Sequence, residues 1–95
     1  MAAGDAYLVG PTSTADDAYL DLVPGGGEVV IHNVYVPVGT AVELYWSDGV
    51  NDILVDSGTE TFAAWQFHAS DTVYLRVKNV SGISADLGAD GMYTA

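Results

Sequence analysis

A chain of 95 residues without a single cysteine makes one domain with a modest core, and it has neither a disulfide nor a thiolate metal site to staple it. Thirteen acidic residues face two basic ones, for a formal net charge of −11. That balance excludes wrapping nucleic acid, which needs Lys and Arg to displace phosphate counterions, and sets the chain against an anionic membrane surface.

In chain order, Met1–Asp5 shows neither the basic start nor the apolar stretch of a secretory signal, and no apolar run approaches ~18 residues. Synthesis in the cytoplasm without a membrane span is the expectation. Residues 1–27 have weak periodicity, four of the acidic residues and the loop Pro24-Gly25-Gly26-Gly27. They also contain a short echo, Asp5-Ala6-Tyr7-Leu8-Val9 and Asp17-Ala18-Tyr19-Leu20-Asp21. This segment reads as an N-terminal arm or edge hairpin with strands at Ala6–Val9 and Tyr19–Val23, and residues 28–95 read as a β-sandwich domain. Within the latter, strands are expected at Glu28–Val36, Thr40–Trp46, Asp52–Asp56, Thr61–His68, Thr72–Asn79 and Ser84–Leu87. Alternation is clearest where Val73, Leu75 and Val77 interleave with Tyr74, Arg76 and Lys78, the period of a strand with one buried face. Turn chemistry at Ser47-Asp48-Gly49, Asp56-Ser57-Gly58 and Ser81-Gly82 separates these runs at short, regular spacing. The fold class is therefore all-β: a small antiparallel β-sandwich or jelly-roll-like barrel.

The strand Glu28–Val36 is apolar on both parities. Either it is covered on both sides, by another subunit or by the N-terminal segment, or a bulge shifts its phase midway. The first option, with the lack of staples, points to a homo-oligomer, a dimer or a trimer.

Catalytic and metal chemistry leave little trace. His32 and His68 each stand alone in a strand, and no second His or Cys lies at ligand spacing. His68, Ser70 and Asp71 are too close together to take up triad geometry readily, and no nucleophile elbow is present. Asp48, Asn51, Asp52 and Asp56 gather at one hairpin, with Asp86 and Asp90 near the C-terminus; such acids suit solvated turns, and their spacing is not that of an EF-hand. No catalytic residue, cofactor or metal ligand is assigned. The candidate partner-binding face consists of Tyr45, Tyr74, Arg76 and Lys78, the chain's only cations set beside outward tyrosines on adjacent strands. The alternative for that face is a cross-strand ion pair between Arg76 and Glu43. Trp46 and Trp65 fall on core-facing positions.

The runs Val30-Ile31-His32-Asn33-Val34-Tyr35-Val36-Pro37-Val38-Gly39-Thr40-Ala41 and Glu43-Leu44-Tyr45-Trp46-Ser47-Asp48-Gly49 resemble small β-rich virion proteins of tailed bacteriophages. The segments Trp65–His68 and Tyr74–Gly82 are similar in the same way, so the likeness spans about residues 28–92. The resemblance implies a non-enzymatic structural protein of the virion, of the capsid decoration or cement type. It implies the major capsid protein or another virion protein as partner, and the charge balance adds no nucleic acid and no membrane. The competing reading is a carbohydrate-binding or adhesive sandwich of a fibre or tail.

Overall fold

The computed structural model describes residues 2–95; Met1, the first residue of the N-terminal segment, lies outside the described residues. Eight strands form: β1 (Ala6–Thr14), β2 (Tyr19–Leu22), β3 (Glu28–Tyr35), β4 (Val42–Ser47), β5 (Asp52–Gly58), β6 (Phe67–Ser70), β7 (Tyr74–Asn79) and β8 (Ala85–Tyr93). They make two antiparallel four-stranded sheets in the orders β1-β8-β3-β6 and β2-β7-β4-β5, called here sheets A and B. Only β4 and β5 are consecutive neighbours in one sheet; every other connection passes from one sheet to the other. That is jelly-roll topology. Period-two strands from both sheets close on one core, in which Leu22, Ile31, Leu44, Leu75 and Leu87 are fully buried beside Val29, Val34, Val42 and Val77.

Because so many connections cross, they meet in pairs at the ends of the sandwich, and each pair is pinned by a polar group. The β1–β2 and β7–β8 connections meet at Asn79, which is 0% exposed. Its Nδ2 donates to the carbonyls of Thr14 (2.9 Å) and Ile83 (2.7 Å), and its Oδ1 accepts from the Ser81 amide (3.0 Å) and hydroxyl (2.7 Å). The β2–β3 and β6–β7 connections meet at Asp71, whose carboxylate accepts the amides of Gly25 (2.8 Å) and Gly26 (2.7 Å). The Pro24–Gly27 loop is thus held, and more firmly because Tyr7 and Tyr93 donate to the carbonyls of Val23 (2.9 Å) and Pro24 (2.6 Å). The β3–β4 and β5–β6 connections meet where the Thr61 hydroxyl exchanges hydrogen bonds with the Val36 backbone and the Gly39 amide donates to the Thr59 carbonyl.

Several expectations need correcting. Within residues 2–27 the strands form neither a hairpin nor a free arm: β1 pairs with β8 in sheet A and β2 with β7 in sheet B, because Tyr7 and Leu22 belong to the core. The two-sided strand resolves into a bulge. His32 is the extra residue between Ile31 and Asn33, so Val29 and Ile31 face inward before it and Val34 and Val36 after it. The motive that this strand supplied for an oligomer is thereby removed. Strand β8 runs on through Gly88 and Gly91, well past Leu87. Glycine is required there, since a Cβ at Gly88 would sit 2.6 Å from the Val9 carbonyl oxygen at the β1 bulge. Residues 61–66 are a loop, and β6 begins only at Phe67. Phe62 makes an isolated bridge to Val34, and Trp65 packs on Phe62 (5.4 Å between centroids) and Phe67 (6.4 Å), closing the edge of sheet A with side chains in place of a strand.

Asn79→Ala strips two donors from buried carbonyls and should cost about 3 kcal/mol in urea unfolding, with leaving buried polar groups unpaired as the dominant loss. Burial, and then the adjacent Tyr93 phenol, pushes the Tyr7 hydroxyl from 10.0 up to about 12. The folded state holds this proton more tightly than the unfolded one, so the contribution is complete below pH 10 and lost as pH rises through 12. Tyr7→Phe should cost about 1 kcal/mol at neutral pH through the lost bond to Val23, yet lose less further stability than wild type over that alkaline window.

Candidate functional site

The outer face of sheet B brings together most of the residues expected to meet a partner. Strand pairing sets Tyr45 opposite Arg76, Glu43 opposite Lys78, and both cations opposite β2, with Asp21 beside Arg76 and Tyr19 beside Lys78. Arg76 is engaged within the chain. Its Nε lies 2.6 Å from Asp21 Oδ1, its Nη1 lies 3.3 Å from Asp52 Oδ2, and its guanidinium carbon stacks 3.9 Å from the centre of the Tyr19 ring. The ion-pair partners are therefore Asp21 and Asp52; Glu43 instead accepts the Tyr45 hydroxyl at 2.6 Å. That hydrogen bond is the main reason the Tyr45 phenol is raised to about 12. Lys78 extends past the Tyr19 ring at 5.6 Å. Tyr74 stands apart, half-buried against the core at the hairpin end of the sheet.

Next to this face lies a surface the sequence did not single out. Strand β5 is the outermost strand of sheet B, and its apolar centre is open to solvent: Ile53 is 52% exposed, Leu54 53% and Val55 44%. Trp46, opposite Ile53 on the core-facing parity, is 44% exposed, and Val50 stands at the tip of the same hairpin. Five large apolar residues are thus exposed on one hairpin, Trp46 and Ile53 on one face and Leu54 on the other, and exposed apolar surface gathered in one place is of the kind that marks interaction sites. The tip itself is rigid. Asp48 Oδ1 accepts the amides of Val50 (2.9 Å) and Asn51 (2.7 Å), and these bonds, Asn51 first, hold its carboxyl below the usual range. Trp65, in contrast, sits in the aromatic cluster against the core.

Asp90 and Asp71 are engaged with neighbouring polar groups. Asp90 accepts from the Tyr35 hydroxyl (2.6 Å) and from Asn33 Nδ2 (2.7 Å). Asp71, with both carboxylate oxygens on loop amides, is not the orienting acid of a Ser70–His68 pair. Among the described residues, no group of three or more His, Asp and Glu is placed to hold a metal ion. A concavity of about 510 Å³ is an open groove over Gly88 and Ala89 walled by Leu8, Pro11, Tyr35 and Pro37, with Asp86 and Asp90 also lining it. No family model matches the chain, and no curated protein matches it either.

Replacing Arg76 breaks two ion pairs and one cation–π contact, all partly exposed. Arg76→Ala should lower the melting stability of the isolated chain by about 1–2 kcal/mol. Asp21→Ala should reproduce part of that loss and Glu43→Ala none of the ion-pair component, and the three thermal melts separate these pairings.

Proposed function

We propose that the chain is a non-enzymatic structural protein of a bacteriophage virion, a capsid decoration protein that binds the major capsid protein or another virion protein on the assembled head. The observation that carries this reading is the exposed apolar β4–β5 hairpin, which offers contact area for a partner. Its neighbours are suited to the role: Tyr45 and Lys78 extend the surface over the outer face of sheet B, while Arg76 and Tyr74 stiffen it. Jelly rolls recur in capsid and lectin proteins, and this parallel is an analogy of fold alone. A ligand that binds the assembled shell and not its loose subunits stabilises the shell by mass action. Repetition over a symmetric lattice lets weak single contacts suffice.

A second reading has one specific support. The indole of Trp46 is open to solvent and could stack on a sugar ring, as a carbohydrate-binding module of a fibre would require. Co-sedimentation separates the two. Heads of the source phage prepared without this chain should bind it saturably and survive heating better once decorated, and unassembled capsid subunits should not bind it. Retention on a glycan array that is lost in Trp46→Ala, with no binding to heads, would establish the fibre reading instead.

A further inference from the structure

A sheet edge exposes unpaired amides and carbonyls, and folded proteins usually blunt such edges. Three of the four edges here are blunted. β2 and β6 are four residues long, and β1 carries Pro11 within a bulge. β5 is seven residues long, with Ile53, Leu54 and Val55 exposed in succession. Its one irregularity is a bulge at Val55, where Leu44 pairs with Asp56 and Tyr45 with Leu54.

The charges around β5 indicate what can cover it. Acids recur at every fourth position along the hairpin and its exit, Asp48, Asp52, Asp56 and Glu60. The strand ladder sets Asp52 on the outer face of sheet B, opposite Ser47, and Asp56 on the other parity, opposite Leu44. A second copy of the chain is a poor occupant. Antiparallel pairing of two β5 strands would gather Asp52 and Asp56 of both copies along one seam, distributed over its two faces, with no cation on either strand to separate them. Each copy also brings a net charge of −11. The nearby cation reaches only part of this set: Arg76 is shared between Asp21 and Asp52, and among the described residues Asp56 and Glu60 have no ion pair.

We propose that β5 is the docking edge, and that its occupant is an extended segment of another protein carrying Lys or Arg on both sides of an apolar, β-branched centre, added antiparallel as a fifth strand of sheet B. Backbone hydrogen bonds supply the attachment, and the apolar centre covers Ile53, Leu54 and Val55. The flanking cations meet Asp52 and Asp56 on the two faces. This deepens the reading of the chain as a contact protein and rests on it, by naming the chemistry of the contact.

The test uses the whole chain and three synthetic peptides of about nine residues, long enough to cover one edge strand. One has Lys flanks around an alternating Thr/Ile/Val centre, one has Glu flanks, and one has Lys flanks with Pro at the centre. The Lys peptide is expected to bind, to slow hydrogen exchange of β5 amides, to alter Trp46 fluorescence, and to weaken as salt rises from about 50 to about 500 mM. The Glu and Pro peptides should bind at least tenfold more weakly. Leu54→Lys, an edge-blocking change at an exposed site, should leave the thermal melt near wild type and weaken the Lys peptide at least tenfold. The proposal is overturned if both Lys-flanked peptides bind equally, which is charge attraction without strand pairing. It is also overturned if the bound peptide protects sheet A groove amides, if no peptide binds, or if β5 becomes protected by self-association as protein concentration rises. Head binding is scored in parallel. Heads that bind Leu54→Lys as well as wild type keep the decoration reading and sink the edge. Peptide binding without head binding does the reverse.

Discussion

The side chain of Asn79 is the tie on which the arrangement of the two sheets depends. It belongs to β7 in sheet B, yet its amide reaches the carbonyl that ends β1 and the one that precedes β8, both of which lead into sheet A. An amide can do this because it offers two donors and an acceptor from one planar group, and all are used. Neighbouring backbone completes the junction: the Asp17 amide donates to the Asn79 carbonyl, the Asn79 amide donates to Ala18, and Asp16 holds the Gly82 amide. In the dry end of a sandwich such a network is worth most when every member is satisfied, and here no buried side-chain polar atom among the described residues lacks a partner.

Thirteen carboxylates with two cations pose an electrostatic problem that the chain solves in part with its own backbone. Asp71, Asp48 and Asp16 each accept main-chain amides at turns and crossovers, and Asp56 accepts the Ser57 amide beside the β5 bulge. Asp90 instead takes the Tyr35 hydroxyl and the Asn33 amide group across sheet A. The one guanidinium is placed where three strands of sheet B can share it: β2 and β5 each contribute a carboxylate to the Arg76 of β7. Some of the acidity that looks like an undifferentiated surface property in the composition is local turn and crossover chemistry.

The parity of side chains was legible in the sequence wherever a strand is regular. Leu75 and Val77 inward, Arg76 and Lys78 outward, follow directly from alternation, and so does the shared face with Tyr45. Legibility fails where the signal is carried by something other than a side chain. Gly88 and Gly91 mark no face, so β8 looks finished at Leu87, although its neighbours' bulges need those glycines. Gly10-Pro11 reads as a strand end, although an edge strand tolerates proline at a bulge. Phe62, Trp65 and Phe67 have the composition of a strand, but they are held by contacts with each other and with β3. The Asp21–Arg76 pair joins residues 55 positions apart, and nothing local announces that β2 will lie against β7. Trp46 has the parity of a core residue and is exposed because strand order sets it beside the outermost strand.

The exposed apolar surface of the β4–β5 hairpin emerges only from topology. In a jelly roll the single hairpin within one sheet is the place where two strands need not share their inner face equally with the opposite sheet. β4 keeps Val42 and Leu44 in the core, whereas the inner parity of β5 passes from Ile53 to Asp56 and leaves the hydrophobic interior. A charge at the inner parity of an edge, together with the bulge at Val55, discourages identical strands from adding, and the −11 of the whole chain extends that repulsion over roughly a Debye length of 10 Å. The same features do not oppose a cationic strand. Repulsion between copies and attraction for a basic partner are one electrostatic property, so an exposed apolar edge can remain soluble in the free protein and still be available for a contact of opposite charge.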